Sequence, residues 1–250
     1  MLHFRTVQSS ALKTLFEVLK DILNDVNFVF NKEGIRLVAM DSSHVALVYM
    51  FLEAENFEPY ICDKEYTLGM NMLNMYKIFR VIGSNDVLDV SLNDDDDVNL
   101  NISISNAKKK TKTTFKVKLL DIDDDMLDPP ELKLTSVTSM LSVDFQKFGR
   151  DMANLGHDLD VNITRNNKGL LFKCDGDFAY QETLVEDDND TAVEVSNDYP
   201  LKYINTFAKA TNLCPSVQLF LEPEYPLIMR YEVAQLGDIC FCLAPRVNEQ

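Results

Sequence analysis

The stretch GIRLVAMDSSHVALVYMFLEAENF, residues 34–57, decides how this chain is read. Two apolar runs flank a polar corner made of Asp41, Ser42, Ser43 and His44. Gly34 permits the tight turn that opens the first run, in which Ile35, Leu37 and Ala39 alternate with Arg36 and Val38. A period of two predicts a strand. In the second run Val45, Leu47, Tyr49 and Phe51 point one way and Ala46, Val48, Met50 and Leu52 the other. Both faces are therefore expected to be covered, by core or by a partner.

Outward from that stretch, 250 residues with 46% hydrophobic content suffice for one large or two ordinary domains with substantial cores. No apolar run is long enough to span a bilayer, and MLHFRTVQSS lacks the succession of a secretory signal. No membrane partner is expected, and the chain should stay on the reducing side of a membrane. Its five cysteines, Cys62, Cys174, Cys214, Cys240 and Cys242, are scattered and suggest no disulfide framework. Cys240 and Cys242 share one strand face and read as packing residues, since no second ligand pair for zinc lies nearby.

Along the chain, Ser9 or Ser10 can cap a helix whose apolar stripe is Leu12, Leu15, Phe16, Leu19, Ile22 and Leu23. Strands are expected over 27–30, 35–40, 45–52 and 66–70, and a second helix over 72–82, ended by Gly83 and Asn85. Strands over 87–92, 98–104 and 113–119 follow, with hairpin turns at Asp94–Asp97 and Asn106–Lys112. The four aspartates read as a solvated loop, because the glycine and terminal glutamate of a calcium loop are missing. Residues 119–135 are acidic and contain Pro129 and Pro130, which predicts a linker.

The second half repeats the first in order. A helix over 143–155 turns Phe145, Phe148, Met152 and Leu155 inward, and NNKGLLFKC aligns Gly169 with Gly34. A fourth helix runs near 201–211, and VQLFLEP at 217–223 echoes the strand at 88–92. A duplicated domain explains this, giving an α+β fold with two similar domains, 1–118 and 136–250, joined by the linker 119–135. Each domain is expected to hold antiparallel sheets and two helices.

A net charge of −16 argues at first against a polyanionic ligand. Its distribution argues the other way. The four helical stretches carry Lys13, Lys20, Lys77, Arg80, Lys147, Arg150, Lys202 and Lys209 against only Glu17, Asp21, Asp144 and Asp151. At helical spacing Lys147 and Arg150 lie opposite Phe148 and Met152, and Lys202 and Lys209 opposite Tyr203 and Phe207. Amphipathic helices need charged outer faces in any case. The sharper reading is a surface, less negative than its surroundings, that faces nucleic acid.

With GIRLVAMDSSHVALV, Phe57, ICDKEYTLGMNMLNMYKIFR at 61–80 and LAPRV at 243–247, the chain resembles the proliferating cell nuclear antigen family of DNA sliding clamps. The likeness runs over its whole length. It implies the DNA clamp fold and a homotrimeric ring around duplex DNA, with the eight basic residues above turned inward. It also implies a processivity factor without catalytic activity or cofactor that tethers a DNA polymerase, a clamp loader and other replication or DNA repair proteins through a PIP-box motif. Localisation would be the nucleus, or a cytoplasmic replication site for a viral member. The partner-peptide groove would use Met40, His44, Val45, Leu47, Leu127, Pro129, Pro226, Leu243, Ala244 and Pro245. The subunit interface would join Lys112, Thr114, Phe115 and Lys116 to Phe178, Tyr180 and Glu182, apolar and basic on one strand, acidic on the other. Cys242 and Pro129 replace an aromatic and a branched aliphatic residue of the family, so partner preference is expected to differ.

Two other functions compete. An enzyme fares badly, because His3, His44 and His157 lie in unrelated contexts and no nucleophile elbow, Walker loop or HExxH motif is present. A monomeric clamp-like adaptor or transcription factor would keep the groove and lose the complementary edges.

Overall fold

Gly34 and Gly169 adopt φ of +151° and +128°, and a Cβ on either would lie 2.0 Å from a carbonyl oxygen, that of Leu52 or Val185. Only glycine meets both demands. The two positions aligned in sequence thus start equivalent strands, and the repeat around them is real.

A computed structural model describes residues 1–93, 96–123, 127, 137–187, 194–223 and 225–246. Asp94 and Asp95, Pro129 and Pro130 with most of 119–135, and the segment 188–193 lie outside the described residues. In chain order the elements of the first half are β1 (Leu2–Thr6), α1 (Ser9–Leu19), β2 (Asp25–Phe30), β3 (Gly34–Met40), β4 (Ala46–Glu53), β5 (Tyr60–Cys62), β6 (Tyr66–Asn71), α2 (Met72–Phe79), β7 (Val87–Asn93), β8 (Asp96–Asn106) and β9 (Thr111–Lys118). The second half has β10 (Val137–Leu141), α3 (Ser142–Ala153), β11 (Asp160–Asn166), β12 (Gly169–Asp175), β13 (Tyr180–Glu186), β14 (Val195–Pro200), α4 (Leu201–Phe207), a 3-10 turn (Ala208–Asn212), β15 (Ser216–Phe220), β16 (Leu227–Glu232) and β17 (Gly237–Leu243).

Two compact units result. One takes Met1–Ser42, Val48–Pro129 and Glu232–Ile239, the other Ser43–Leu47, Pro130–Tyr231 and Cys240–Gln250. The first holds the sheet β5-β1-β7-β8-β9 and the strands β4-β3-β2-β6. The second holds β13-β12-β11-β14 and β10-β15-β16-β17, apart from Glu232 of β16 and Gly237–Ile239 of β17, which fall in the first. Strand for strand the orders correspond, β5 being the one addition. The strands pair antiparallel, as in β1 with β7 (Leu2↔Leu92) and β11 with β12 (Asn166↔Gly169).

In the first unit α1 buries Leu12, Leu15, Phe16 and Leu19 and α2 buries Met72, Met75 and Phe79, with the Phe16 and Phe79 rings 4.3 Å apart. A second aromatic group, Phe4, Phe30, Phe57 and Tyr60, fills the space between β1 and its neighbours. In the second unit Phe145 and Phe148 close on Phe172, and the Phe207 and Phe241 rings stack at 4.8 Å. Residues at the head of the linker run beside β6: Leu120 N–H donates to the Gly69 carbonyl at 2.9 Å, and the Asn27 side-chain amide to that of Ile122 at 3.1 Å.

Several expectations need correction. Neither Ser9 nor Ser10 caps α1; Gln8 stands at the cap, and buried Ser9 donates its hydroxyl to the Asp86 carbonyl. The second helix ends at Phe79, before Gly83, whose N–H goes to the Asp86 carboxylate at 2.8 Å. The fourth tightens into a 3-10 turn after Phe207. Over 45–52 the core face, Ala46, Val48, Met50 and Leu52, is fully buried, and the other, Val45, Leu47, Tyr49 and Phe51, is half-buried, which departs from no expectation. The strand β1 adds to the expected elements: Leu2, Phe4 and Thr6 alternate with His3 and Arg5 and point inward.

Candidate functional site

The basic residues sit on the helices because the opposite faces are needed for the core. In the first unit Lys77 and Arg80 are exposed at the end of α2, and the Lys77 ammonium lies 3.4 Å from Asn74 Oδ1. Lys20 is less available: its ammonium contacts Asp21 at 2.6 Å and sits 4.8 Å from the centre of the Tyr76 ring. Lys13 is half-buried and donates to the Ile82 carbonyl at 3.0 Å, closing the turn after α2. Its amine therefore helps fix the helix pair.

In the second unit α3 and α4 approach so closely that a Cβ on Gly149 would lie 2.4 Å from Asn205 Oδ1. Asn205 donates to the Gly149 carbonyl at 3.1 Å and Gln146 to that of Ala208 at 3.0 Å. This binds the two helices into one surface. On it Lys147, Arg150, Lys202 and Lys209 are all exposed. Lys147 pairs with Asp151 at 2.7 Å, one turn on, and that carboxylate raises the Lys147 pKa. The Lys202 ammonium lies over the Tyr203 ring at 5.2 Å, so Tyr203 shares its face and does not lie opposite it.

Ammonium and guanidinium groups on a helix surface can neutralise phosphates. Contacts of that kind would carry no sequence preference, since phosphates are alike in every sequence. Among the described residues no group of three His, Cys, Asp or Glu is placed to hold a metal, and no helix is long and apolar enough to cross a membrane.

The polar corner is a tight turn. His44 is exposed at φ 56°, a left-handed conformation tolerated by few side chains. Val45 accepts a 3.0 Å hydrogen bond from Ala244 N–H, which brings the C-terminal segment to the corner within the second unit. Beyond it Arg246 anchors the tail: its backbone N–H donates to the Asp198 carbonyl at 2.8 Å and its Nε to Asp160 at 3.0 Å. No local pattern marked those two aspartates. Val45, Leu47, Pro226 and Pro245 are half-buried and Ala244 is exposed. Leu243 is fully buried and belongs to the core. In the first unit Met40 and Leu127 are apolar side chains left 42% and 37% exposed. Pro129 falls outside the described residues.

The two strands expected to form the subunit interface are both terminal strands of their sheets. On β9, Lys112, Thr114 and Lys116 are exposed and Phe115 is half-buried, with Thr114 hydroxyl 3.0 Å from that of Ser103. Beside β13, Phe178 is 77% exposed, and Tyr180, whose hydroxyl donates to Glu182 at 2.9 Å, is 57% exposed.

A two-fold repeat of this topology, with paired helices and edge strands, defines a clamp-type architecture, and the chain belongs to the proliferating cell nuclear antigen family. Residues 1–128 match the family's N-terminal domain and 128–246 its C-terminal domain. The chain is similar to a protein of Paramecium bursaria Chlorella virus 1 described as "Probable DNA polymerase sliding clamp 1", 33% identical over 254 residues that cover 98% of this chain and 97% of the viral one.

Proposed function

We propose that the chain is a DNA sliding clamp: a homotrimeric ring that encircles duplex DNA and tethers a DNA polymerase, its loader and repair proteins without any chemistry of its own. The observation that carries this reading is the placement of eight cations, four on the helix pair of each repeated unit, in a protein of net charge −16. Family membership and the viral relative support it. An acidic outside resists non-specific adsorption, while a weakly basic helix surface holds DNA without arresting it. Glu17, Asp21, Asp144 and Asp151 among those cations keep the attraction shallow, which suits sliding.

Two further parts belong to the proposal. The corner Asp41–His44, with Val45, Leu47, Pro226, Ala244 and Pro245, and with Met40, Leu127 and Pro129, takes the apolar side chains of a PIP-box peptide. The strands β9 and β13 join head to tail between copies, a heterologous contact of the kind that closes rings. The domains act as 1–118 and 136–250 about the linker 119–135, and the place of action is wherever replication occurs, the nucleus or a viral replication site.

Primer extension tests the proposal. On a long primed circular template with a clamp loader, a polymerase carrying a PIP-box should make longer products per binding event when this protein is present. Unchanged product length with polymerase and loader active would refute the function.

A further inference from the structure

The edges of the two sheets divide charge cleanly. From Ala107 to Lys118 there are six lysines and no acid, whereas from Cys174 to Glu186 there are four acids and no base. On β9, Lys112, Lys116 and Lys118 share the outward face of the strand, opposite Ser105, Asn101 and Asn99 of β8. On β13, Tyr180, Glu182, Leu184 and Glu186 are exposed and Gln181, Thr183 and Val185 half-buried. Both are the last strands of their sheets, so each offers a row of backbone groups on its outer side to a further strand. Phe178, Tyr180 and Leu184 put 77%, 57% and 39% exposed apolar side chains at the acidic edge, more than a solitary edge strand ordinarily shows to water.

We propose that this division is an assembly code: it admits β9 of one copy only against β13 of another copy, and rejects the pairing of either edge with itself. The inference rests on the ring reading and adds to it which contacts are forbidden and by which residues. An antiparallel pair keeps outward faces together, so a β9–β13 contact sets Lys112, Lys116 and Lys118 among Glu182 and Glu186, directly or on the diagonal. Two β9 edges would oppose lysine with lysine, and two β13 edges glutamate with glutamate, both destabilising. The twofold dimers that a free edge most readily forms are thereby disfavoured, leaving the heterologous contact that continues into a ring. Glu182 also faces Lys173 across β12 within its own chain, so the code does not rest on that glutamate alone. Exposed pairs of this kind are screened by salt, whereas burial of Phe178 and Tyr180 is not. Assembly should therefore weaken with salt without vanishing.

Charge reversal tests the code on the full chain by analytical ultracentrifugation at low and high salt, with circular dichroism to verify folding, all substituted side chains being exposed. K112E/K116E/K118E and, separately, E182K/E186K should each raise the dissociation midpoint at low salt by roughly tenfold or more. The variant carrying all five changes should assemble again as the unaltered protein does, yet fail to exchange subunits with it. Assembly of both single-edge variants at the unaltered midpoint would overturn the code while leaving the ring intact, and so would a folded five-change variant no better than they are. A protein that is monomeric without substitution at every concentration and salt would overturn the ring reading and the code together.

Discussion

The Lys13 ammonium donates to the carbonyl oxygen of Ile82, 69 residues along the chain, at 3.0 Å. One of the eight helix cations thus serves the fold directly, and it should behave unlike the rest. Lys13→Ala is expected to cost about 1–3 kcal/mol of stability, the net value of a hydrogen bond from a charged donor. Lys77→Ala and Arg80→Ala, exposed at the neighbouring helix end, should leave stability nearly unchanged. Each of those two should weaken DNA association and reduce the slope of log Kd against log salt by up to about one. Chemical denaturation and DNA binding across a salt series separate the two behaviours.

At the corner, Val45 and Leu47 are half-buried while Ala46 and Val48 between and beyond them are fully buried. Val45→Asp or Leu47→Asp should abolish binding of a PIP-box peptide by calorimetry and leave association with DNA intact. Equal peptide affinity in the variants would place the groove elsewhere.

Gly149 leaves no room for a methyl group against Asn205. Gly149→Ala should destabilise the second unit by about 1–3 kcal/mol through overpacking. Adding Asn205→Ala removes the obstructing amide, so the double variant should recover part of the loss in thermal melts. Additive losses would mean the two residues do not meet.

Burial pushes the Cys242 thiol up to about 11. At pH 8 roughly one part in a thousand is then thiolate, and native protein should resist iodoacetamide at this position while denatured protein reacts. The unfolded chain releases this proton first, near the ordinary thiol value, and the folded chain only around 11. Stability from this group is therefore complete below the ordinary value and declines as pH rises above it. Rapid native alkylation of Cys242 would show that the strand end opens.

The sequence carried the repeat well, because a glycine forced into positive φ against a carbonyl leaves a mark in any chain, and Gly34 and Gly169 leave it twice. Helix faces were legible for the same local reason, a period of 3.6 with cations outside. What stayed hidden depends on distant partners. Ser9 looked like a cap and instead serves Asp86, whose carboxyl pKa is held low by the side-chain amide of Asn106 and the N–H of Gly83. Leu243 read as groove lining, yet it is fully buried. Arg246 meets Asp160 and Asp198 on the paired strands β11 and β14, far from it in the chain. The strand β9 was legible from its own residues and the segment of β13 only through the family resemblance, but that both are terminal strands is a property of topology, not of either segment.

The most direct measurement of the central claim is topological. The protein is loaded by a clamp loader onto nicked circular duplex DNA, free protein is removed, and the circle is cut once. A ring linked around DNA by its helix-lined surface should stay on the intact circle and slide off the free ends within minutes of cutting, faster still for the Lys77→Ala/Arg80→Ala variant. Protein that stays bound equally to cut and uncut DNA would contradict encirclement and the account built on it.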